Sequence, residues 1–106
     1  MKNHSQENNS SIYRDKDVIF VKGPLKQDSV TGAFEQCLSF LAAKDPVKID
    51  LIGVTQCDSS SLAFLTALMR ESKKRDVQIT FLHIPKQMLD LGKVSGINEL
   101  LPIVDN

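Results

Sequence analysis

Three consecutive serines follow an aspartate in the middle of this sequence, and they are the residues best placed to do chemistry. Asp58 ends an apolar, strand-like run, and the apolar spacing of a helix begins at once after it. This order places Ser59, Ser60 and Ser61 at a helix start, where free backbone N–H groups and the positive end of the helix dipole favour an acceptor oxygen or an anion. A serine there can cap its own helix, carry a phosphate or contact a partner.

These three uses make different demands on the turn. Capping by Asp58 or Ser59 would stabilise the helix by about 1 kcal/mol, but three hydroxyls after an aspartate exceed what one cap needs. Phosphorylation of Ser59 would add about −1.5 to −2 charges beside the Asp58 carboxylate, and the repulsion would make it a switch that disrupts a docked partner. The residues alone leave capping, phosphorylation and docking open.

Enzymatic constellations are scarce in the rest of the chain. His4 lies in a polar N-terminal stretch and His83 in a predicted strand, and neither has a cysteine or carboxylate at metal-ligand spacing. A serine nucleophile needs a positioned base, and the sequence contains neither the G-x-S-x-G elbow nor a glycine-rich phosphate loop. We therefore expect no catalytic residue, no metal site and no cofactor, with a serine-nucleophile enzyme as the rival from another class.

The elements that would position the turn alternate between strands and helices. Short apolar runs predict strands at 12–13, 18–21, 47–52 and 77–84. The first two would form either a hairpin or two edge strands. Helical spacing predicts helices at 30–41, 60–75 and 86–95. Strands joined by helices run parallel, so the prediction is one α/β domain with a small mixed sheet of four to five strands and helices packed on it.

The ends and inward faces of these helices can also be predicted. Asp28 or Ser29 is the candidate N-cap of the first helix, and Gly96 is a candidate left-handed residue after the third. The second helix should bury Leu62, Leu65, Leu68 and Met69 and expose its basic C-terminal residues, namely Arg70, Lys73, Lys74 and Arg75.

Composition describes a small soluble protein without nucleic-acid character. Among 106 residues, 13 basic residues balance 13 acidic ones, so the electrostatic footprint of a nucleic-acid binder is missing. Cys37 and Cys57 have apolar neighbours, which favours reduced, buried thiols. We find no secretory signal and no run long enough to span a membrane, so a cytoplasmic location is expected. Residues 1–11 are expected to be a disordered tail and 12–106 the domain.

The central segment resembles the STAS family, named for sulfate transporters and anti-sigma factor antagonists. The family pattern of a strand I-D-L-x-x-V, an acidic residue, hydroxyl residues and a helix is matched by Ile49-Asp50-Leu51, Val54, Cys57-Asp58-Ser59-Ser60 and Leu62-Ala63. The preceding F-V-K-G-P-L, with Gly23 and Leu25, resembles the family's strand and Gly-x-Leu turn. The family usually has Gly where this chain has Ser61, and often an acidic residue where it has Lys26.

The resemblance implies a non-catalytic interaction module of the STAS fold, and two branches of the family differ in the partner. The ending Met88–Pro102, a Leu-rich helix followed by G-I-N-E-L-L-P, is similar to that of the cytoplasmic STAS subunits of phospholipid-transport ABC complexes. That branch implies docking on the transporter's ATPase subunit, in a complex with a membrane permease and without insertion of this chain into the membrane. In the antagonist branch, the implied role of Ser59 is phosphorylation by an anti-sigma kinase. The partner-binding residues implied by the resemblance are Asp58, Ser59, Ser60, Ser61 and Leu62.

Overall fold

The structure, a computed structural model, describes residues 10–41 and 44–102. These residues form four strands, three α-helices and one 3-10 turn. Their order is β1 (Ser11–Asp15), β2 (Val18–Leu25), α1 (Val30–Ser39), β3 (Val47–Cys57), α2 (Ser59–Arg75), β4 (Ile79–Leu82), α3 (Lys86–Ser95) and the 3-10 turn (Ile97–Leu100). The predicted alternation of strands and helices is confirmed.

The folded domain begins inside the stretch expected to be a tail. Ser11 belongs to β1, and Ser10 is buried, with its hydroxyl donating a hydrogen bond to the Pro24 carbonyl. Both residues are held by the neighbouring strand, because an extended chain at a sheet edge satisfies its polar groups by pairing. The rest of the expected tail, residues 1–9, lies outside the described residues.

The sheet is small and mixed, with the order β1-β2-β3-β4. β1 and β2 form an antiparallel hairpin, closed by a turn in which Lys16 has a φ of 58°. β2, β3 and β4 are parallel, since a helix between each pair returns the chain to the same end of the sheet. The predicted fold is therefore confirmed, and the first two strands are a hairpin.

One hydrophobic core lies between the sheet and the helices. Its strand residues Ile19, Val21, Ile49 and Leu51 are fully buried, which is expected for alternate positions facing the helices. The predicted inward residues of α2 are buried, except for Met69, which is partly buried at the edge of the core. Within the described residues, none of the helices combines the length and apolar character that crossing a membrane requires.

β3 is longer than the sequence pattern indicates. It extends for 11 residues, to Cys57, rather than ending at Ile52. β2 stays beside it through register shifts between Phe20 and Lys22 and between Gly23 and Pro24. Gly23 has a φ of 92°, a conformation that glycine adopts without the steric cost of a Cβ. The extension brings the end of β3 to Asp58, directly at the start of α2.

β4 is shorter than predicted, and His83 is not a strand residue. β4 has 4 residues and ends at Leu82, because His83 adopts a left-handed backbone conformation with a φ of 55°. Pairing between β3 and β4 ends at the pair Asp50 and Leu82. The remaining part of β3, residues 51–57, extends beyond the end of β4, and we call it the β3 overhang.

Candidate docking site at the start of the second helix

Asp58 is the N-cap of α2. The sequence predicts either Asp58 or Ser59 in this role. The backbone of Asp58 is extended, with φ −135° and ψ −168°. Its Oδ1 accepts a hydrogen bond from the Ser60 N–H at 2.8 Å, and its carbonyl accepts one from the Ser61 N–H at 3.0 Å. Aspartate is among the most favourable N-cap residues because its short side chain reaches the free amides of the first turn. The cap fixes the position of all three serines.

The second carboxylate oxygen of Asp58 ties another loop to this helix start. Asp58 Oδ2 accepts a hydrogen bond from the Gln27 N–H at 3.2 Å. Gln27 lies in the loop between β2 and α1, two residues before Ser29, the N-cap of α1. The Ser29 hydroxyl donates a hydrogen bond to the Pro24 carbonyl at 2.9 Å. The ends of β2 and β3 are therefore held together by side chains, and the loop and the α2 turn form one surface.

The five residues expected to contact a partner differ in exposure. Ser59 is exposed, while Asp58 and Ser60 are partly buried. Ser61 is fully buried and donates a hydrogen bond from its Oγ to the Asp58 carbonyl at 2.6 Å, and Leu62 is only 6% exposed. Their predicted role in partner binding stays a prediction, and both side chains are buried within the domain. They hold the turn from inside, and Ser59 presents the accessible hydroxyl.

The side chain of Ser61 fits where the family usually keeps glycine. Its hydroxyl caps the Asp58 carbonyl from inside the domain rather than projecting outward. Burial raises the pKa of the thiol of Cys57, the residue just before Asp58. Ser61 therefore leaves the outer surface of the turn unobstructed.

A shallow apolar groove between α1 and α2 adjoins Ser59. We call it the α1–α2 groove, and it is lined by Gln27, Val30, Thr31, Phe34, Ser60, Ala63, Phe64 and Ala67. None of these residues is charged, and the whole stretch of α2 from Ser59 to Met69 contains no charged residue. Surfaces buried between proteins are depleted in charge at their centres. The contribution of α1 was not predicted, although the uncharged run in α2 is visible in the sequence.

His83 has a carboxylate partner that the sequence did not reveal. Its Nδ1 lies 3.0 Å from Oδ1 of Asp50, which is only 7% exposed, and the same oxygen accepts a hydrogen bond from the Ile52 N–H at 2.9 Å. Across residues 10–41 and 44–102, no three His, Cys, Asp or Glu side chains are grouped closely enough to hold a metal ion. The arrangement is a hydrogen-bonded pair at the end of β4.

This histidine is badly placed to activate Ser59. His83 follows Leu82, which pairs with Asp50 on β3. From Asp50, β3 continues for seven residues before Asp58. At about 3.3 Å per residue, the two sites are separated by on the order of 20 Å. A serine nucleophile needs its base within hydrogen-bond reach. His83 does not supply that base.

The basic residues at the C-terminal end of α2 lie at the opposite end of the helix from Ser59. Glu71 pairs with Lys74 at 3.2 Å and with Arg75 at 3.4 Å. The hydrogen bond from Lys74 is the largest cause that lowers the pKa of Glu71. As predicted, Arg70, Lys73 and Lys74 are exposed, whereas Arg75 is partly buried and donates a hydrogen bond to the Leu38 carbonyl. Their charges therefore lie away from the Asp58–Ser61 turn.

The fold and the site together define a STAS domain, a small mixed sheet whose central strand ends in a capped, hydroxyl-bearing helix start. The chain belongs to this family, since the model described as "Mlab, STAS domain" matches residues 9–103. This confirms the predicted family and the predicted similarity to its MlaB members. Over 89 residues, covering 80% of this chain and 85% of the relative, it is 29% identical to "Intermembrane phospholipid transport system binding protein MlaB" of Haemophilus influenzae.

Solved structures confirm the fold at low sequence identity. An anti-sigma factor antagonist from Mycobacterium paratuberculosis has a TM-score of 0.74 at 15% identity, covering 92% of this chain and 85% of that one. An anti-sigma-factor antagonist (STAS) domain protein from Planctomyces limnophilus has a TM-score of 0.71 at 18% identity, with coverage of 92% and 91%. At these identities the likeness concerns the fold.

Proposed function

We propose that this protein is the STAS subunit of a phospholipid-transport ABC complex and that it docks on the ATPase of the transporter through the first turn of α2. The similarity to MlaB supports the transport role. The observation that supports the docking site is the exposed Ser59, held by the Asp58 cap beside an uncharged groove. The partner would be an ATPase of the MlaF kind, in a complex with a membrane permease.

The contact has three physical components. The Ser59 hydroxyl offers a hydrogen-bond donor and acceptor to the partner, and the α1–α2 groove offers apolar surface. The Asp58 cap fixes the backbone before binding, so little conformational entropy is lost on docking. A standard interface would bury roughly 800 Å² on each partner, which this turn, the groove and the neighbouring loop can share.

The role that follows is structural and regulatory. The subunit would support assembly of the complex and ATP hydrolysis by its partner, and would contribute to outer-membrane lipid asymmetry without catalysing a reaction. It would sit on the cytoplasmic side of the inner membrane, attached through the transporter. Its 13 basic residues are balanced by 13 acidic ones, so we expect no binding to nucleic acid.

Substitution of Ser59 by glutamate tests this proposal. A negative charge at a helix N-terminus is compatible with folding, but a charge left unpaired inside an interface costs several kcal/mol. We expect Ser59→Glu to weaken binding to the purified ATPase at least about tenfold while its melting temperature is retained. Ser39→Glu, at an exposed serine in the last turn of α1, is the matched control and should bind like the wild type. Equal affinity of both variants would remove Ser59 from the interface.

The exposed Ser59 hydroxyl also supports a second candidate function, that of an anti-sigma factor antagonist regulated by phosphorylation. Ser59 is the first residue of α2 and is accessible to a kinase. Incubation with a cognate anti-sigma kinase and ATP, followed by mass spectrometry, tests this function directly. Phosphate on Ser59, with no binding to the transporter ATPase, would establish the antagonist instead of the transport subunit.

A further inference from the structure

The free edge of β3 leads directly into the docking turn. On one side β3 pairs with β2 as far as Cys57, but on the other side its pairing with β4 ends at Asp50. Among the described residues, the β3 overhang therefore has a strand neighbour on one side only. Such an edge presents backbone N–H and C=O groups that another extended chain can pair with.

Side chains close the β3–β4 ladder at this point. The carboxylate of Asp50 binds the Ile52 N–H and His83 on the same oxygen. His83 turns the chain away in its left-handed conformation, so β4 cannot continue beside the overhang. The β3–β4 ladder therefore ends at the pair Asp50 and Leu82.

The other edges of the sheet carry features that discourage pairing. β1 has the charged residues Arg14 and Asp15. On the outer side of β4, the Phe81 N–H donates a backbone hydrogen bond to the Pro102 carbonyl at 2.9 Å. The overhang contains no charged residue and no proline, which are two of the usual protections of an edge; its two register shifts against β2 are irregularities of the third kind, the β-bulge. Ile52 on the overhang is 67% exposed, unusual for a large apolar side chain.

We propose that the β3 overhang binds an extended segment of the partner protein as an added strand. This inference rests on the proposed function, because the overhang continues into the Asp58 turn that the ATPase would cover. That continuity favours a segment of the same partner over a second copy of this chain, which would compete for the turn. Seven residues span about 23 Å in a strand. The segment is therefore about that long, with an uncharged or β-branched residue beside Ile52.

Hydrogen–deuterium exchange of the complex with the ATPase tests the added strand. Backbone amides that gain a hydrogen-bonded strand neighbour exchange more slowly. We expect the amides of residues 53–56 that face the free edge, and not those already bonded to β2, to exchange at least about tenfold more slowly in the complex than in the free protein. Protection of the α2 turn without protection of these edge-facing amides would overturn the added strand and leave the proposed function in place. Failure to form any complex would overturn both.

A pair of lysine substitutions provides a second measurement. Ile52→Lys places a charge on the overhang, and Val94→Lys places one on α3, where Val94 is 92% exposed. We expect the first to weaken binding to the ATPase at least about fivefold and the second to leave it unchanged, with both melting temperatures near that of the wild type. Equal binding by both variants contradicts the inference. Self-association of the free chain that Ile52→Lys abolishes would identify a second copy as the occupant and also contradict it.

Discussion

Asp58→Ala is the perturbation that tests the candidate site most directly, because one carboxylate joins two loops. Oδ1 accepts a hydrogen bond from the Ser60 N–H at 2.8 Å, and Oδ2 accepts one from the Gln27 N–H at 3.2 Å. Loss of an N-cap costs about 1 kcal/mol, and loss of the exposed second bond adds about 0.5 kcal/mol. We expect the free energy of unfolding to fall by about 1.5 kcal/mol and the melting temperature by roughly 6–10 °C.

Urea unfolding at pH 7 measures this loss, and two variants separate its parts. Asp58→Asn keeps a side-chain oxygen for the Ser60 N–H but replaces the acceptor that faces Gln27 with an NH₂ group. It should therefore lose only about 0.5 kcal/mol. Asp28→Ala removes the same charge from the adjacent loop at an exposed residue that caps no helix, since Ser29 is the α1 N-cap. It should stay within about 0.5 kcal/mol of the wild type.

The outcome that refutes this reasoning is specific. If Asp58→Ala unfolds within about 0.3 kcal/mol of the wild type, the cap and the loop contact do not hold the turn. If Asp58→Asn loses as much as Asp58→Ala, the cap bond to Ser60 does not explain the effect, because the two variants differ in the cap and share the loss of the charge and of the Gln27 contact.

Two further predictions concern buried side chains, Ser61 in the turn and Cys37 in α1. Ser61→Gly should lower the free energy of unfolding by about 1–2 kcal/mol in urea, because it removes the hydroxyl bonded to the Asp58 carbonyl and adds glycine's entropic cost; a more stable variant would contradict this. Burial raises the pKa of Cys37 from 9.0 to about 12, so the folded state keeps a proton that the unfolded state loses. Its contribution to stability is complete below pH 9 and falls as pH rises from 9 toward 12, by up to about 1.4 kcal/mol per pH unit. Cys37→Ala should show a shallower alkaline loss in urea titrations, and equal slopes would refute the assignment.

The features predicted correctly from sequence are those set by local interactions. The helical spacing of α1, α2 and α3 depends on residues three and four apart, and the Asp58 cap depends on residues two apart. Parallel strands followed from the helices between them. These relations lie within single segments of chain, so no tertiary information was needed.

The features that were missed depend on contacts between distant segments. Asp50 and His83 are 33 residues apart, and only the folded sheet brings them together. The α1–α2 groove likewise requires the packing of two helices separated by β3. The ends of β3 and β4 depend on which neighbour stays beside each strand, because strand residues satisfy their backbone groups across the sheet.

The burial of Ser61 was a different kind of miss, because the signal was present in the sequence. Ser61 precedes the buried residues Leu65, Leu68 and Ser72 by four, seven and eleven positions, which is the spacing of one helix face. The family resemblance had grouped Ser61 with its exposed neighbour Ser59. Helical phase separates the two, because residues two positions apart in a helix point about 200° apart, toward opposite faces.

The distribution of charge along α2 bears on how the site could be regulated. From Ser59 to Met69 the helix has no charged residue, and its cations begin only at Arg70, more than two turns further on. A phosphate on Ser59 would be tolerated by the fold, since the helix N-terminus favours negative charge by about 0.3–1 kcal/mol. Inside an interface the same phosphate would need a cation as partner, because an unpaired buried charge costs about 3–5 kcal/mol. Modification therefore disfavours docking at this residue unless the phosphate pairs with Lys26, in the loop beside Asp58, or with a cation of the partner.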